Sequence, residues 1–292
     1  MTSVIASPAG TDHAPAEPAG PAATPPPAPA RTAALLRRYR LLVLSGAIAQ
    51  RGVAIALLAA VWEVFPRLDL VDATFLPPLS QVLRAWWALA SDGELPQHIQ
   101  ASMVRSLSGL GLAILVAVPL GLLIGWYRPV AVLLGPVLEV FRNTAALALM
   151  PVFILILGLG ETSKMAIILY GCAWPILLNT ISGVKTVDPL LVRSARSMGL
   201  SHLRLFQKVI LPAAVPTIFT GIRLAGAYSI LILIAAELAG AKAGLGYLIS
   251  YAQQNFDIGD MYAGIITISA IGLVINQSLV YLERRFSTWR TS

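Results

Sequence analysis

VDPLLVRSARSMGLSHLRLFQKVILP, residues Val187 to Pro212, is a basic, polar island between two long apolar segments. Lys185 just before it, with Arg193, Arg196, Arg204 and Lys208 inside it, stands against the single acid Asp188. That charge density does not belong in hydrocarbon, and its local signals are too ordered for a slack loop. Asp188 offers an oxygen to free backbone N–H groups and Pro189 is pre-shaped for the first helical position, so a helix is expected to start there. Leu190, Leu191, Ala195 and Met198 then fall on roughly one side, and Gly199 fits the left-handed residue that stops a helix. Ser201 is placed to cap a second short helix running through Leu205, Phe206 and Val209 to Pro212. The expectation is a helical module held on the cytoplasmic face of a membrane protein and built to touch a partner. The competing expectation is a solvated basic loop of the kind the positive-inside rule produces.

Outward from the island, the chain reads as lipid-embedded helix. It is 57% hydrophobic and only 12% charged, with a mean hydropathy of +0.76. A soluble domain carries about a quarter charged residues, and apolar runs of about 18 residues or more read as membrane spans. Cys172 is the lone cysteine, so no internal disulfide forms and the redox compartment is not legible. The net charge of +7 is explained by basic cytoplasmic loops, and nucleic acid is not an expected partner.

Residues 1–30 are Ala/Pro-rich and read as a disordered tail without the features of a secretory signal. Residues 31–74 hold a basic patch (Arg31, Arg37, Arg38, Arg40), a first span at Gly46 to Phe65 with Arg51 snorkelling, and the start of an outer loop. Leu79 to Ala90, with Trp86 and Trp87, suits a helix lying at the interface. The second span is Met103 to Trp126. Val130 to Gly158 is longer than one span needs and carries Pro136, Glu139, Arg142 and Asn143. It reads as one broken or tilted third span, with its break between Phe141 and Pro151 and its polar middle facing protein or water. Gly160 to Lys164 reads as a polar turn, Met165 to Ile181 as the fourth span and Ala213 to Leu238 as the fifth. Gly240 to Asp260 is an outer loop with a short helix, and Met261 to Leu282 is the sixth span. Six spans place both termini on one side, together with the basic clusters. Asp69, Asp72, Asp92, Glu94, Glu161, Asp257 and Asp260 fall opposite, which makes the basic side cytoplasmic.

The chain has no G-x-x-x-x-G-K-[ST] phosphate loop, no H-E-x-x-H and no metal-spaced Cys/His set, so neither ATP hydrolysis nor metal chemistry is expected of it. His13, His98 and His202 carry no expected chemistry. Glu139 and Arg142 are spaced to meet on one helix face. Arg223 and Glu237 are about 21 Å apart along the fifth span and do not pair with each other. Glu139, Arg142, Asn143, Thr144 and Glu237 are the candidate pathway residues, with Arg142, Asn143 and Thr144 offering donors to a small anion. A structural ion pair or interfacial snorkelling is the preferred alternative for these charges. Gly121 and Gly125 permit close helix packing, and Gly244-Leu245-Gly246 permits a sharp outer turn.

Arg193-Ser194-Ala195, Gly199, Val209 and Leu211-Pro212 resemble the "EAA" loop of the membrane subunits of ABC importers, E-A-A, three residues, G, nine residues, I-x-L-P. Ala195, Gly199, Leu211 and Pro212 match by identity; Arg193 stands where Glu is usual, Ser194 replaces Ala and Val209 replaces Ile. LALMPVFILILGLGETSK (Leu147 to Lys164), WPILLNTISGVKTVDP (Trp174 to Pro189) and GAKAGLGYLI (Gly240 to Ile249) are similar to permeases of the nitrate/sulfonate/taurine branch. One departure is Arg142-Asn143-Thr144-Ala145-Ala146, where many relatives carry R-P-x-x-P.

The resemblance covers roughly residues 75–286, with the coupling loop at 183–212 and a short cytoplasmic tail at 287–292. It implies an all-α polytopic membrane protein of the type I ABC importer permease kind, with about six transmembrane helices and a cytoplasmic coupling helix. It implies a paired permease, two copies of this chain or this chain with a close relative, in a bacterial inner membrane. It also implies an ATP-binding cassette ATPase subunit that carries ATP and Mg, and an extracytoplasmic solute-binding protein. Asp188, Pro189, Arg193, Ser194, Ala195, Gly199, Leu211 and Pro212 would couple the permease to the ATPase. The solute would be a small anion such as a sulfonate, taurine or nitrate. The rival is a stand-alone secondary transporter or channel, which predicts paired broken helices or a proton-relay series that the chain does not show.

Overall fold

The computed structural model describes residues 52–287. The Ala/Pro-rich tail, the Arg31 to Arg40 patch, Arg51, the beginning of the first span and residues 288–292 lie outside the described residues. By its contacts the chain divides at Leu58/Ala59.

Every regular element among the described residues is helical. Helix α1 covers 52–67 and is followed by α2, Leu79–Ser91. Pro78 at the α2 N-cap has no side-chain oxygen to offer. Glu63 of α1 supplies it, accepting from the Ser80 backbone N–H at 2.9 Å and from Ser80 Oγ at 2.9 Å. Of the two indoles expected at an interface, only Trp87 is turned outward. Trp86 donates to Thr267 Oγ1 at 2.9 Å.

Helix α3 runs Glu94–Trp126, about nine residues earlier than the sequence placed its start. Helix α4 is Arg128–Arg142. A 3₁₀ turn at Ala146–Leu149 leads into α5, Met150–Leu157. The two halves of this third span meet at 84°, so the break falls inside the expected window. Helix α6, Glu161–Lys185, takes in the segment read as a polar turn: Ser163 and Lys164 lie in its first turn, both donating to Gly160 O. After the island comes α9, Leu211–Leu238, then α10, Leu245–Gln254, and α11, Ile258–Ser287.

Four helical stretches are long and apolar enough to cross a membrane, and the bent pair makes a fifth. Of the expected six, the remaining one, the first span at Gly46 to Phe65, lies partly outside the described residues. The core is the α3–α6–α9 layer. Lipid tails give helices no hydrophobic reason to associate, so close backbone approach must do it. A Cβ on Gly109 would sit 2.6 Å from Ile168 Cγ2, one on Gly121 2.7 Å from Thr180 Cβ, and one on Gly125 2.8 Å from Val184 Cβ. The facing residue lies 59 positions on in all three cases, so α3 and α6 run parallel in constant register. Helix α9 returns antiparallel, with Gly221 against Asn179 and Gly183 against Ala214 and Thr217.

Candidate functional site

The island folds as the sequence predicts at its start and stop. Helix α7 covers Pro189–Ser197, and Asp188 Oδ1 accepts from the Leu190 N–H at 2.8 Å. At the other end Gly199 adopts φ +76°, its N–H reaches Arg196 O at 2.9 Å, and the Leu200 N–H reaches Ala195 O at 3.3 Å. That pair of bonds is a Schellman motif, which satisfies carbonyls the helix end leaves free. Ala195 is buried and Val192 packs under the knob, while Leu190, Leu191 and Met198 are exposed at 67%, 52% and 72%. Ala195 is therefore the anchor, on a different side from the apolar groups with which the sequence grouped it. Arg193 and Ser194 are exposed beside them.

The second half differs from expectation. Ser201 occupies the cap position of α8, His202–Leu205, with no side-chain cap bond. From there the chain passes through a π turn, Phe206–Ile210, straight into α9. Pro212 is thus not a stop. It lacks the N–H that an α-helical bond would need and its ring crowds the preceding turn, and the wider π turn absorbs both demands. Phe206 and His202 pack tilted rings against Trp126 at the end of α3, with ring centroids 5.3 and 4.7 Å away, which fixes the island against the bundle.

At the break of the third span, Arg142 pairs with Glu139 at 2.9 Å, both side chains well exposed. Asn143 Nδ2 donates to Glu139 O at 2.7 Å, Thr144 Oγ1 to Val140 O at 3.1 Å and Tyr170 OH to Phe141 O at 2.7 Å. These are the last-turn carbonyls that the break frees. The polar residues there close the backbone accounts that a helix ending at membrane depth must settle internally.

Glu237 is elsewhere. It is 1% exposed at the end of α9, and Arg105 Nη1 donates to its Oε1 at 2.7 Å. Ser102 Oγ donates to it at 2.8 Å and the Gly246 N–H at 2.8 Å. Arg105, 4% exposed on α3, also donates from Nη1 to Ala243 O at 2.6 Å. Its Nε and Nη2 take both oxygens of Glu161, the latter at 2.8 Å. Lys164 Nζ lies 3.8 Å from Glu161 Oε1. Successive N–H groups of the Gly244 turn enter the same centre: Gly244 to His98 Nδ1 at 3.0 Å and Leu245 to Ser102 Oγ at 2.8 Å. His98 accepts through Nδ1, so that nitrogen carries no proton. A Cβ on Gly246 would lie 2.7 Å from Glu237 Cβ, which is why this turn needs its glycines.

The structure therefore separates Glu237 from Glu139, Arg142, Asn143 and Thr144. Arg223 pairs with Glu283 at 3.0 Å, apart from Glu237 as the helix rise requires. Sequence reasoning missed Arg105, Glu161, Lys164, Ser102 and His98 as one centre. The signal was a lone Arg within the second apolar span, which is costly unless partnered.

Comparison with known proteins agrees with this architecture. The chain is 34% identical over 240 residues to the taurine transport system permease protein TauC of Escherichia coli (strain K12), covering 80% of this chain and 87% of that one. It is 35% identical over 237 residues to the putative aliphatic sulfonates transport permease protein SsuC of Bacillus subtilis (strain 168), covering 81% and 86%. Among solved structures, a chain of the inward-facing MetNI methionine ABC transporter superposes with a TM-score of 0.57 at 17% identity, covering 68% of this chain and 98% of that one. An amino acid ABC transporter solved with histidines gives 0.52 at 19% identity, covering 68% and 96%. Residues 117–288 match the binding-protein-dependent transport system inner membrane component family, and the chain belongs to that family of ABC transporter permeases.

Proposed function

We propose that this permease imports a small oxyanion, of the sulfonate, taurine or nitrate class, through a pathway formed with a second permease copy. The island faces the cytoplasm of a bacterial inner membrane, as the Lys/Arg asymmetry argues. There α7 seats in a groove of a separate ATPase subunit, which holds ATP and Mg. An extracytoplasmic binding protein delivers solute to the opposite end. Closure of two ATPase subunits moves the two knobs together and switches the pathway between packings that are each stable.

The observation that carries this is α7 itself. Three large apolar side chains, Leu190 and Leu191 on a helix of nine residues and Met198 at its C-cap, stand exposed on a mount that is capped at both ends and anchored by Ala195. An exposed apolar cluster on a rigid mount is costly in water unless a partner covers it. Asp188 and Pro189 set its start, Gly199 its stop, and Leu211 and Pro212 join it to α9. Arg193 and Ser194 flank the contact. The anion class rests on the relatives named for taurine and aliphatic sulfonates, and on a bicarbonate transport system permease protein, CmpB, of Synechococcus elongatus, 32% identical over 185 residues.

The test is purification of the tagged chain from its native membrane in mild detergent. A stoichiometric ATPase subunit should co-elute and should be lost when residues 193–199 are scrambled. Elution of the permease without an ATPase, even after crosslinking, would refute the docking role.

A further inference from the structure

We propose that Arg105 is an oxyanion-binding residue for the transported solute, with the Glu161 carboxylate as the internal stand-in that holds its place in this state. The inference rests on the reading of the protein as an anion importer.

A guanidinium offers its donors in a fixed planar fork. At Arg105 the inner donors are committed, with Nη1 shared by Glu237 and the Ala243 carbonyl. The other edge, Nε and Nη2, presents two parallel N–H groups, and both oxygens of Glu161 fill it. The two partners differ sharply in burial. The Arg105 side chain is 5% exposed and that of Glu161 58%, so the carboxylate reaches in from an open surface to a cation that is already built in.

The charges make the same point. Arg105 and Lys164, both at most 7% exposed, face Glu161 and Glu237. With Glu161 in place the cluster is balanced. With Glu161 swung out it carries one net positive charge and an unfilled bidentate edge, which is costly in a dry site. A monoanion with two oxygens at carboxylate-like spacing restores both, and sulfonate, bicarbonate, nitrate and carboxylate groups all present this geometry. Exchange of one bidentate anion for another conserves the bonds to Arg105. Solute binding is then weak enough to reverse, as a transport site requires.

The site also adjoins a small cavity beside the broken span. A cavity of about 10 Å³, lined by Met150, Ile154, Leu159, Lys164 and Gly240 among others, lies between α5 and the end of α9. It is about the size of one water. Its α5 wall belongs to the short half of the broken span, and Glu161 follows directly after that half through Gly158, which adopts φ +79°.

The experiment uses the purified full chain in detergent with methanesulfonate as probe and chloride at equal ionic strength as control. Binding is read by calorimetry and by the shift in unfolding temperature. E161Q removes the competing charge and should bind methanesulfonate about tenfold more tightly than the wild type, because the competent state no longer has to be freed first. R105Q in the E161Q background should abolish this binding, and R105K, which keeps the charge and loses the fork, should abolish most of it. Since R105Q leaves Glu237 without its direct ion-pair partner, R105Q/E161Q/E237Q repeats the measurement with that buried carboxylate neutralised. Equal affinity of E161Q and wild type, or binding that survives loss of Arg105, overturns the assignment. Uptake of labelled taurine by the native complex is measured in parallel. Uptake with no gain in E161Q affinity sinks this proposal and leaves the importer reading intact. A gain in E161Q affinity without uptake of taurine, nitrate or bicarbonate sinks the anion-importer reading and leaves Arg105 as an oxyanion site.

Discussion

Replacement of Gly199 by valine isolates the contribution of the knob's C-terminal stop. Gly199 sits at φ +76°, and a Cβ built there meets nothing within 4 Å. The penalty is therefore one of backbone conformation, without steric collision against neighbours. An L-residue in the left-handed region costs about 1–2 kcal/mol, and a β-branched one sits at the upper end or above. A penalty of that size raises local opening of the motif by a factor of about 5–30. Asparagine tolerates this region better, so Gly199→Asn should lose less. Two measurements check this. Hydrogen exchange at the Gly199 and Leu200 amides, which donate to Arg196 and Ala195, should accelerate about tenfold in Gly199→Val and less in Gly199→Asn. Solute uptake and ATPase co-purification should fall in the same order, with membrane insertion unchanged. Normal uptake by well-expressed Gly199→Val, or equal impairment by valine and asparagine, would refute the reasoning.

Glu237→Leu leaves the buried cations Arg105 and Lys164 facing Glu161 alone and should destabilise the purified chain by about 3–5 kcal/mol, with Glu237→Gln milder; thermal unfolding in detergent reads both. Gly121→Val drives a branched side chain into Thr180, already 2.7 Å from an added Cβ, and should cost about 1–3 kcal/mol. Thr180→Ala should recover part of that loss in a double-mutant cycle, and additivity would contradict the packed seam. Arg142→Gln breaks only an exposed pair and should shift stability by less than about 1 kcal/mol. Loss of uptake at unchanged stability would place Arg142 on the pathway, whereas Asn143→Leu should lower stability because it unpairs the Glu139 carbonyl.

The elements legible in the sequence are those set by local chemistry. Asp188-Pro189 and Gly199 carry their own instructions, and the Phe141 to Pro151 window contains the break because Asn143 and Thr144 favour leaving a helix. Helix ends set by tertiary contact were not legible. The starts of α3 and α6 are polar and read as loop, yet Ser163 and Lys164 are buried in the first turn of α6, and Ser102, further along α3, is buried against Glu237. Pro212 read as a terminator because a π turn leaves no sequence signature. The Arg105 centre joins residues separated by 132 and 56 positions, and no spacing rule reaches that far. The lone Arg in an apolar span says that a partner exists without saying which acid it is.

The helices that build the charge centre also carry the island. Helix α6 begins at Glu161 and ends at Lys185, just before the Asp188 cap, while α9 leaves the island's π turn and carries Glu237 in its last turn. Helix α3 lies beside α6 in constant register and ends at Trp126 under His202. A force on α7 therefore acts on rods whose far ends hold Glu161, Glu237 and Arg105. Close-packed rods move as bodies, so a small rotation at the island separates carboxylate from guanidinium at the other end. Coupling of this kind is a free-energy difference between two states and is reciprocal. In the complete complex, methanesulfonate affinity of E161Q should change between nucleotide-free and ATP-analogue-bound states by about 5–150-fold, the usual span of such couplings. The change should vanish in E161Q/G199V, whose knob no longer transmits. An affinity indifferent to nucleotide, with ATPase docking intact, would show that the two ends move independently.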